Sequence, residues 1–144
     1  MRHILFTRSD GGVSIVSTPV DTDEALAKAM AKLPAFATNA KIVDSAAIPQ
    51  DRTFRNAWRQ NGSLGEHDMG KARGIHREAL RRLRAPKLAA LDTAYLRADE
   101  MGDAPAKARI AAEKQALRDV TDDPAIDTAS TPETLRAAIP NILR

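Results

Sequence analysis

Apolar and polar positions are arranged differently on the two sides of residue 60. On the N-terminal side, His3 to Thr7 and Val13 to Ser17 are short runs of β-favouring residues. Arg8-Ser9-Asp10-Gly11-Gly12 lies between them, and Asp-Gly suits a tight hairpin turn because such turns need φ > 0. Pro19 closes the second strand. A helix is predicted over 22–33, with Leu26, Met30 and Leu33 on one face. Asp21-Thr22-Asp23-Glu24 supplies its N-cap and places acids at the positive end of the helix dipole. Pro34 stops it, and Lys41 to Asp44 forms a third strand. The order ββαβ fits a small sheet covered on one face by a helix. Phe54 and Trp58, four residues apart, would lie on one side of a helical turn. Gln60 to Gly65 has the composition of a turn-rich linker.

Beyond the linker the helical period dominates. Asp68 can cap a helix starting near Met69, in which Ile75, Ala79, Leu80 and Leu83 share a face. Pro86 interrupts the pattern, and Leu88, Leu91, Tyr95 and Ala98 resume it on a rotated face. Either one helix kinked at Pro86 or two helices meeting there would satisfy this pattern. Gly102 is the C-terminal stop. Asp103-Ala104-Pro105 then starts a helix that runs to about Val120 and buries Ala106, Ile110 and Leu117. So short a connection implies antiparallel packing, and alanines on both helices permit close approach. Asp122-Asp123-Pro124 breaks this helix. A last short one begins at Thr131-Pro132-Glu133-Thr134, capped by Thr131, and Pro140 ends it. The expected fold is α+β: a ββαβ module over 1–60, then over 61–144 a long antiparallel helical hairpin and a short C-terminal helix.

Composition narrows the chemistry. The 144 residues include no cysteine, so a disulfide framework, a thiolate metal site and a cysteine nucleophile are excluded. Only five residues are aromatic, Phe6, Phe36, Phe54, Trp58 and Tyr95, so the core must rest on Ala, Leu, Ile and Val. Such side chains bury less area each, and a chain of this size built from them gains from contact with something else. Twenty-two Lys and Arg against 19 Asp and Glu leave a net charge of +3, less lopsided than that of a dedicated nucleic-acid binder. The apolar run at the N-terminus is too short for a signal peptide, and no window approaches a membrane span. The expectation is a protein without a membrane segment, made in the cytosol.

Charge is nevertheless patterned. Lys71, Arg73, Arg77, Arg81, Arg82, Arg84 and Lys87 face Glu78 alone, and Arg73, Arg77, Arg81 and Arg84 form one helical stripe. Such a stripe can lie along phosphates. It can also be a solvated face, or reach acids of a neighbouring chain. The second account is preferred, because no aromatic stacking residue is interleaved. Asp92 to Asp103 is acidic, and a partner copy offset along the helix would match the two signs. His3, His67 and His76 have no ligand spacing, so surface or helix-end roles are expected and no metal or cofactor is assigned. Asp99 with Glu100, and Asp122 with Asp123, are adjacent pairs at helix ends, and no catalytic constellation emerges. Phe54, Arg55 and Trp58 make the most distinctive cluster. It is either a packing joint between the modules or a docking element for a partner.

Four blocks carry a resemblance. They are Pro49-Gln50-Asp51-Arg52-Thr53-Phe54-Arg55-Asn56-Ala57-Trp58, Asp68-Met69-Gly70-Lys71-Ala72-Arg73-Gly74-Ile75-His76-Arg77, Arg84-Ala85-Pro86-Lys87-Leu88-Ala89-Ala90-Leu91-Asp92 and Lys114-Gln115-Ala116-Leu117-Arg118-Asp119. In this order, over roughly 48–143, the chain resembles small tail-associated proteins of tailed bacteriophages and prophages. The last block, with Leu91-Asp92, resembles more loosely the C-terminal part of tail-fibre assembly proteins, the tail assembly chaperones. Ile139-Pro140 stands where that group carries Trp-Pro. The resemblance implies a non-enzymatic protein of the virion tail region, or a factor for its assembly. It would act in the virion, or in the host cytoplasm during assembly, through other phage structural proteins and as a homo-oligomer. The partner-binding candidates from the residues themselves are Phe54, Arg55, Trp58, Arg73, Arg77, Arg81 and Arg84. The alternative is nucleic-acid binding through the basic helix 71–87.

Overall fold

A computed structural model describes residues 1–61 and 63–144, the side chains at 61, 63 and 65 aside. The architecture is mixed α+β, with small antiparallel sheets first and helices after. The chain divides into two compact units, Met1–Ala72 and Arg73–Arg144.

In the first unit β1 (Arg2–Thr7) pairs antiparallel with β2 (Val13–Ser17), from His3 opposite Ser17 to Thr7 opposite Val13. The predicted turn is present: Gly11 takes φ 77°, a value that glycine adopts without a Cβ penalty. Helix α1 (Asp23–Ala31) follows, with the Thr22 side chain accepting from Ala25 N and Leu26 fully buried. It ends slightly before the predicted Leu33. Strand β3 (Thr38–Asp44) then pairs with the other edge of β1, giving the order β2-β1-β3. It starts three residues earlier than predicted. Asn39 at φ 52° and a register shift between Leu5 and Thr7 let the extra residues reach Thr7.

Alternation along β1 sends Arg2, Ile4 and Phe6 to one face and His3, Leu5 and Thr7 to the other. The first face meets the start of α1. Arg2 donates to Asp21 (Nε to Oδ1, 2.7 Å) and Asp23 (Nη1 to Oδ1, 2.7 Å), and the Phe6 and Phe36 rings are 6.4 Å apart. On the second face, Thr7 Oγ1 donates to Gln60 Oε1 at 3.2 Å, and β4 (Trp58–Asn61) contacts both β1 and β2. Ile4 and Leu5 are both fully buried, so β1 is the centre of the unit.

Two expectations for this region are corrected. Gln60, Asn61 and Ser63 to Gly65 are not a linker: β4 pairs antiparallel with β5 (Ser63–His67), from Trp58 opposite His67 to Asn61 opposite Ser63. Turn-forming residues mark a hairpin tip as readily as a linker. Gly62, predicted as part of that linker, lies outside the described residues. Nor do Phe54 and Trp58 share a helical turn. A single 3-10 turn, Arg55–Ala57, separates them, with Phe54 before it and Trp58 already extended at φ −62°, ψ 141°.

Helix α2 (Met69–Glu100) runs unbroken through Pro86, so one helix rather than two carries both apolar patterns. Asp68 caps it by accepting from Lys71 N. Gly102, at φ 67°, donates to Asp99 O and Asp103 donates to Ala98 O, the paired bonds of a Schellman turn. Asp103 then caps α3 (Ala104–Asp119) by accepting from Ala106 N. The chain returns through α4 (Pro124–Thr128), α5 (Pro132–Ala137) and a final 3-10 turn, Asn141–Leu143. Helix α4 was not expected. Pro124 reads as a breaker, but here it occupies the first turn of a helix capped by Asp123. The α5 capping box is Thr131 with Thr134, each side chain accepting from the other's backbone N–H. Leu80, Leu117, Val120, Ile126 and Leu135 form the core of the second unit. Leu83 is 48% exposed and Ala79 is also exposed, against the predicted face. The inner face instead runs through Arg73, His76, Arg77, Leu80 and Arg84.

Candidate interaction surfaces

The basic stripe faces inward at three of its four positions. Arg73 donates to Ile126 O (3.2 Å) and Ala129 O (2.9 Å). Arg77 donates to Thr121 O (3.1 Å) and to the Asp127 carboxylate (2.7 Å). Arg84 donates to Leu117 O (3.3 Å) and Arg118 O (2.6 Å). Lys87 reaches Ile142 O (3.1 Å), and His76 Nε2 donates to Ala138 O (2.8 Å). Leu117 and Arg118 lie in the last turn of α3, Ile126 in the last turn of α4, and Ala129 and Ala138 are the C-caps of α4 and α5. These carbonyls have no N–H partner within their own helices, and cations there also oppose the negative end of the dipole. Helix α2 therefore caps the elements that return along it. His76, expected at a surface or helix end, is 5% exposed for this reason. Only Arg81 of the stripe stays outside, beside Glu78 at 3.3 Å, with Arg82 on the same acid at 3.9 Å.

The acidic half of α2 is also used within the unit. Asp99 pairs with Lys107, and Asp92 with Lys114 at 2.5 Å. Both ammonium groups lie over the Tyr95 ring, 5.5 and 5.4 Å from its centre. Asp99 beside Lys107 raises the Lys107 pKa above its ordinary value. Long side chains thus span α2 and α3, and Asp92 and Asp99, expected to meet a second chain, meet this one.

In the first unit Phe54 and Trp58 are 3% and 2% exposed, and the Phe54 ring stands edge-on to His67 at 6.5 Å. Both rings are core side chains. Trp58 Nε1 is buried with no partner among the described residues. Arg55 alone of that cluster is exposed. His3 sits between two hydroxyls, with Nδ1 2.8 Å from Ser17 Oγ and Nε2 2.9 Å from Ser45 Oγ. Arg59 ties the β1–β2 turn to the start of α2, donating to Asp10 O (3.0 Å) and Asp68 Oδ2 (2.6 Å). A Cβ on Gly11 would run into that guanidinium, which would have to shift, but it is the φ of 77° that calls for glycine there. The Lys71 amide and then Arg59 hold the Asp68 pKa below its ordinary value. Arg8 and the Gly12 amide do the same for Asp10.

Among the described residues no three His, Asp or Glu gather where a metal could bind, and no helix is long and apolar enough to cross a membrane. The depressions in the second unit are open and lined by groups such as Ala125, Ala129, Thr134 and Ala138. What the surface does offer is apolar: Leu83, Leu96 (63% exposed) and Met101 stand out around the α2 C-terminal half. Sequence periodicity missed this, because it put Leu83 on an inner face and gave Leu96 and Met101 no face at all. Comparison with protein-family models, curated proteins and solved structures returned no match to this chain.

Proposed function

We propose that this chain is a non-enzymatic protein of a tailed-phage particle, a component of the tail region or an assembly factor for it, working through protein–protein contacts. One observation carries the reading beyond the sequence resemblance. Three of the four stripe arginines and the Asp92 and Asp99 carboxylates are engaged in capping and pairing within their own unit, whereas large apolar side chains stand exposed around α2. The nucleic-acid alternative would require Arg73, Arg77 and Arg84 to give up carbonyls they already hold.

The test is quantitative mass spectrometry of virions purified from a phage encoding the chain, with affinity capture from infected cells alongside. A fixed copy number per virion identifies a structural part. Absence from virions, with co-purification of a fibre protein, identifies an assembly factor. Absence from both sinks the proposal.

A further inference from the structure

The outward face of α2 between Arg82 and Glu100 differs from an ordinary solvated face. Arg82, Ala85, Pro86, Ala89, Thr93, Leu96 and Glu100 follow one another at intervals of one, three and four residues, so they share one side of the helix, and all are exposed. Between the terminal charges the centre of this stripe is apolar. Thr93 Oγ1 turns back to Ala89 O at 3.4 Å, which leaves its methyl group outward. Leu96 is the bulky member, 63% exposed. The charges that close the stripe have opposite signs, Arg82, which also stands 3.9 Å from Glu78, at one end and Glu100 at the other.

We propose that this face binds the same face of a second copy, with the two α2 helices antiparallel. A two-fold contact brings one patch against itself, so opposite charges at its two ends satisfy each other twice. With Arg82 opposite the second copy's Glu100, Pro86 falls opposite Leu96 and Ala89 opposite Thr93. Small side chains there let the helices approach while Leu96 fills the space beside the Pro86 ring. Slips in one direction are disfavoured by the same charges. A slip of three residues sets Arg82 against Arg97, and a slip of four sets Glu78 against Glu100. The inward arginines and the Asp92 and Asp99 pairs are untouched, because they lie on other sides of the helix. Self-association on this face needs no phage component, so it stands or falls apart from the function proposed above.

The experiment uses the full chain. Sedimentation should show a monomer–dimer equilibrium with Kd in the micromolar range, the class of a small interface. Leu96→Glu should weaken it about tenfold or more, since two carboxylates enter an apolar seam. Arg82→Glu and Glu100→Arg should each weaken it, and the double variant should restore it. Far-UV circular dichroism of each variant should match the parent, because the positions are exposed. A mixture of Ala89→Cys and Thr93→Cys chains should form the crossed disulfide in preference to either symmetric one, with no native cysteine to compete. A monomer throughout that range overturns the proposal. So does a dimer indifferent to Leu96→Glu, a double variant that fails to recover, or the absence of crossed disulfide.

Discussion

At the scale of single residues, arginines with the same sequence credentials have opposite roles. Arg81 and Arg84 belong to one basic stripe. Arg84 holds two carbonyls at the end of α3, whereas Arg81 stands half exposed beside Glu78. A charged donor on otherwise unpaired carbonyls contributes about 1–3 kcal/mol, and an exposed ion pair well under 1. Arg84→Ala should therefore lower urea-unfolding stability by about 1–3 kcal/mol, and Arg81→Ala by less than about 0.5 kcal/mol. Equal effects would mean that the carbonyl contacts do not stabilise the unit. The stripe itself was legible in the sequence, but its acceptors were not. Every residue has a carbonyl, so a sequence gives no sign of which carbonyls a fold leaves without an N–H. The same blindness hid His76, whose partner is the C-cap of a helix more than 50 residues on. Phe54 and Trp58 were legible as unusual, and the structure makes core side chains of both rings.

At the scale of elements, caps and stops were the most legible signals. Thr22, Asp68, Asp103 and Thr131 all cap helices, and Gly102 closes one, because each acts on backbone within a few residues. Elements whose existence depends on neighbours were missed. Hairpin β4–β5 has the composition of a linker, and α4 is five residues long, too short to persist without the contacts that Arg73 and Arg77 make to it and just before it. Pro86 presents the reverse case, a breaker that the helix overrides. It removes the N–H that would bond Arg82 O and crowds the preceding turn. Inner contacts on both sides, Arg84 before it and Lys87 after it, hold α2 in register. Pro86→Ala should stabilise the chain by roughly 1–3 kcal/mol and raise its thermal midpoint. A lower midpoint would show that the ring does more for α2 than its missing N–H costs.

At the scale of the whole molecule, the two units should fail at opposite ends of the pH range. Asp10, Asp21 and Asp68 in the first unit have pKa values below the ordinary one. A lowered carboxylate contributes stability that is complete above its unfolded pKa and is lost as pH falls through the folded one. Lys107 in the second unit has a raised pKa, so its contribution is complete below the unfolded value and is lost as pH rises through the folded one. The single tryptophan, Trp58, belongs to the first unit, while most of the helix belongs to the second. Trp fluorescence should therefore shift first on acidification below about pH 4, and helical ellipticity should decline first above about pH 10. A fluorescence change led by alkali would contradict this assignment. The capping pattern of α2 also has a direction in time. Arg73, His76, Arg77, Arg84 and Lys87 all precede in sequence the carbonyls they serve, which lie between Leu117 and Ile142. During synthesis each donor is made before the acceptors it serves. Each returning segment then emerges beside a helix that already displays the group to terminate it. The second unit can be completed in the order in which its segments are made.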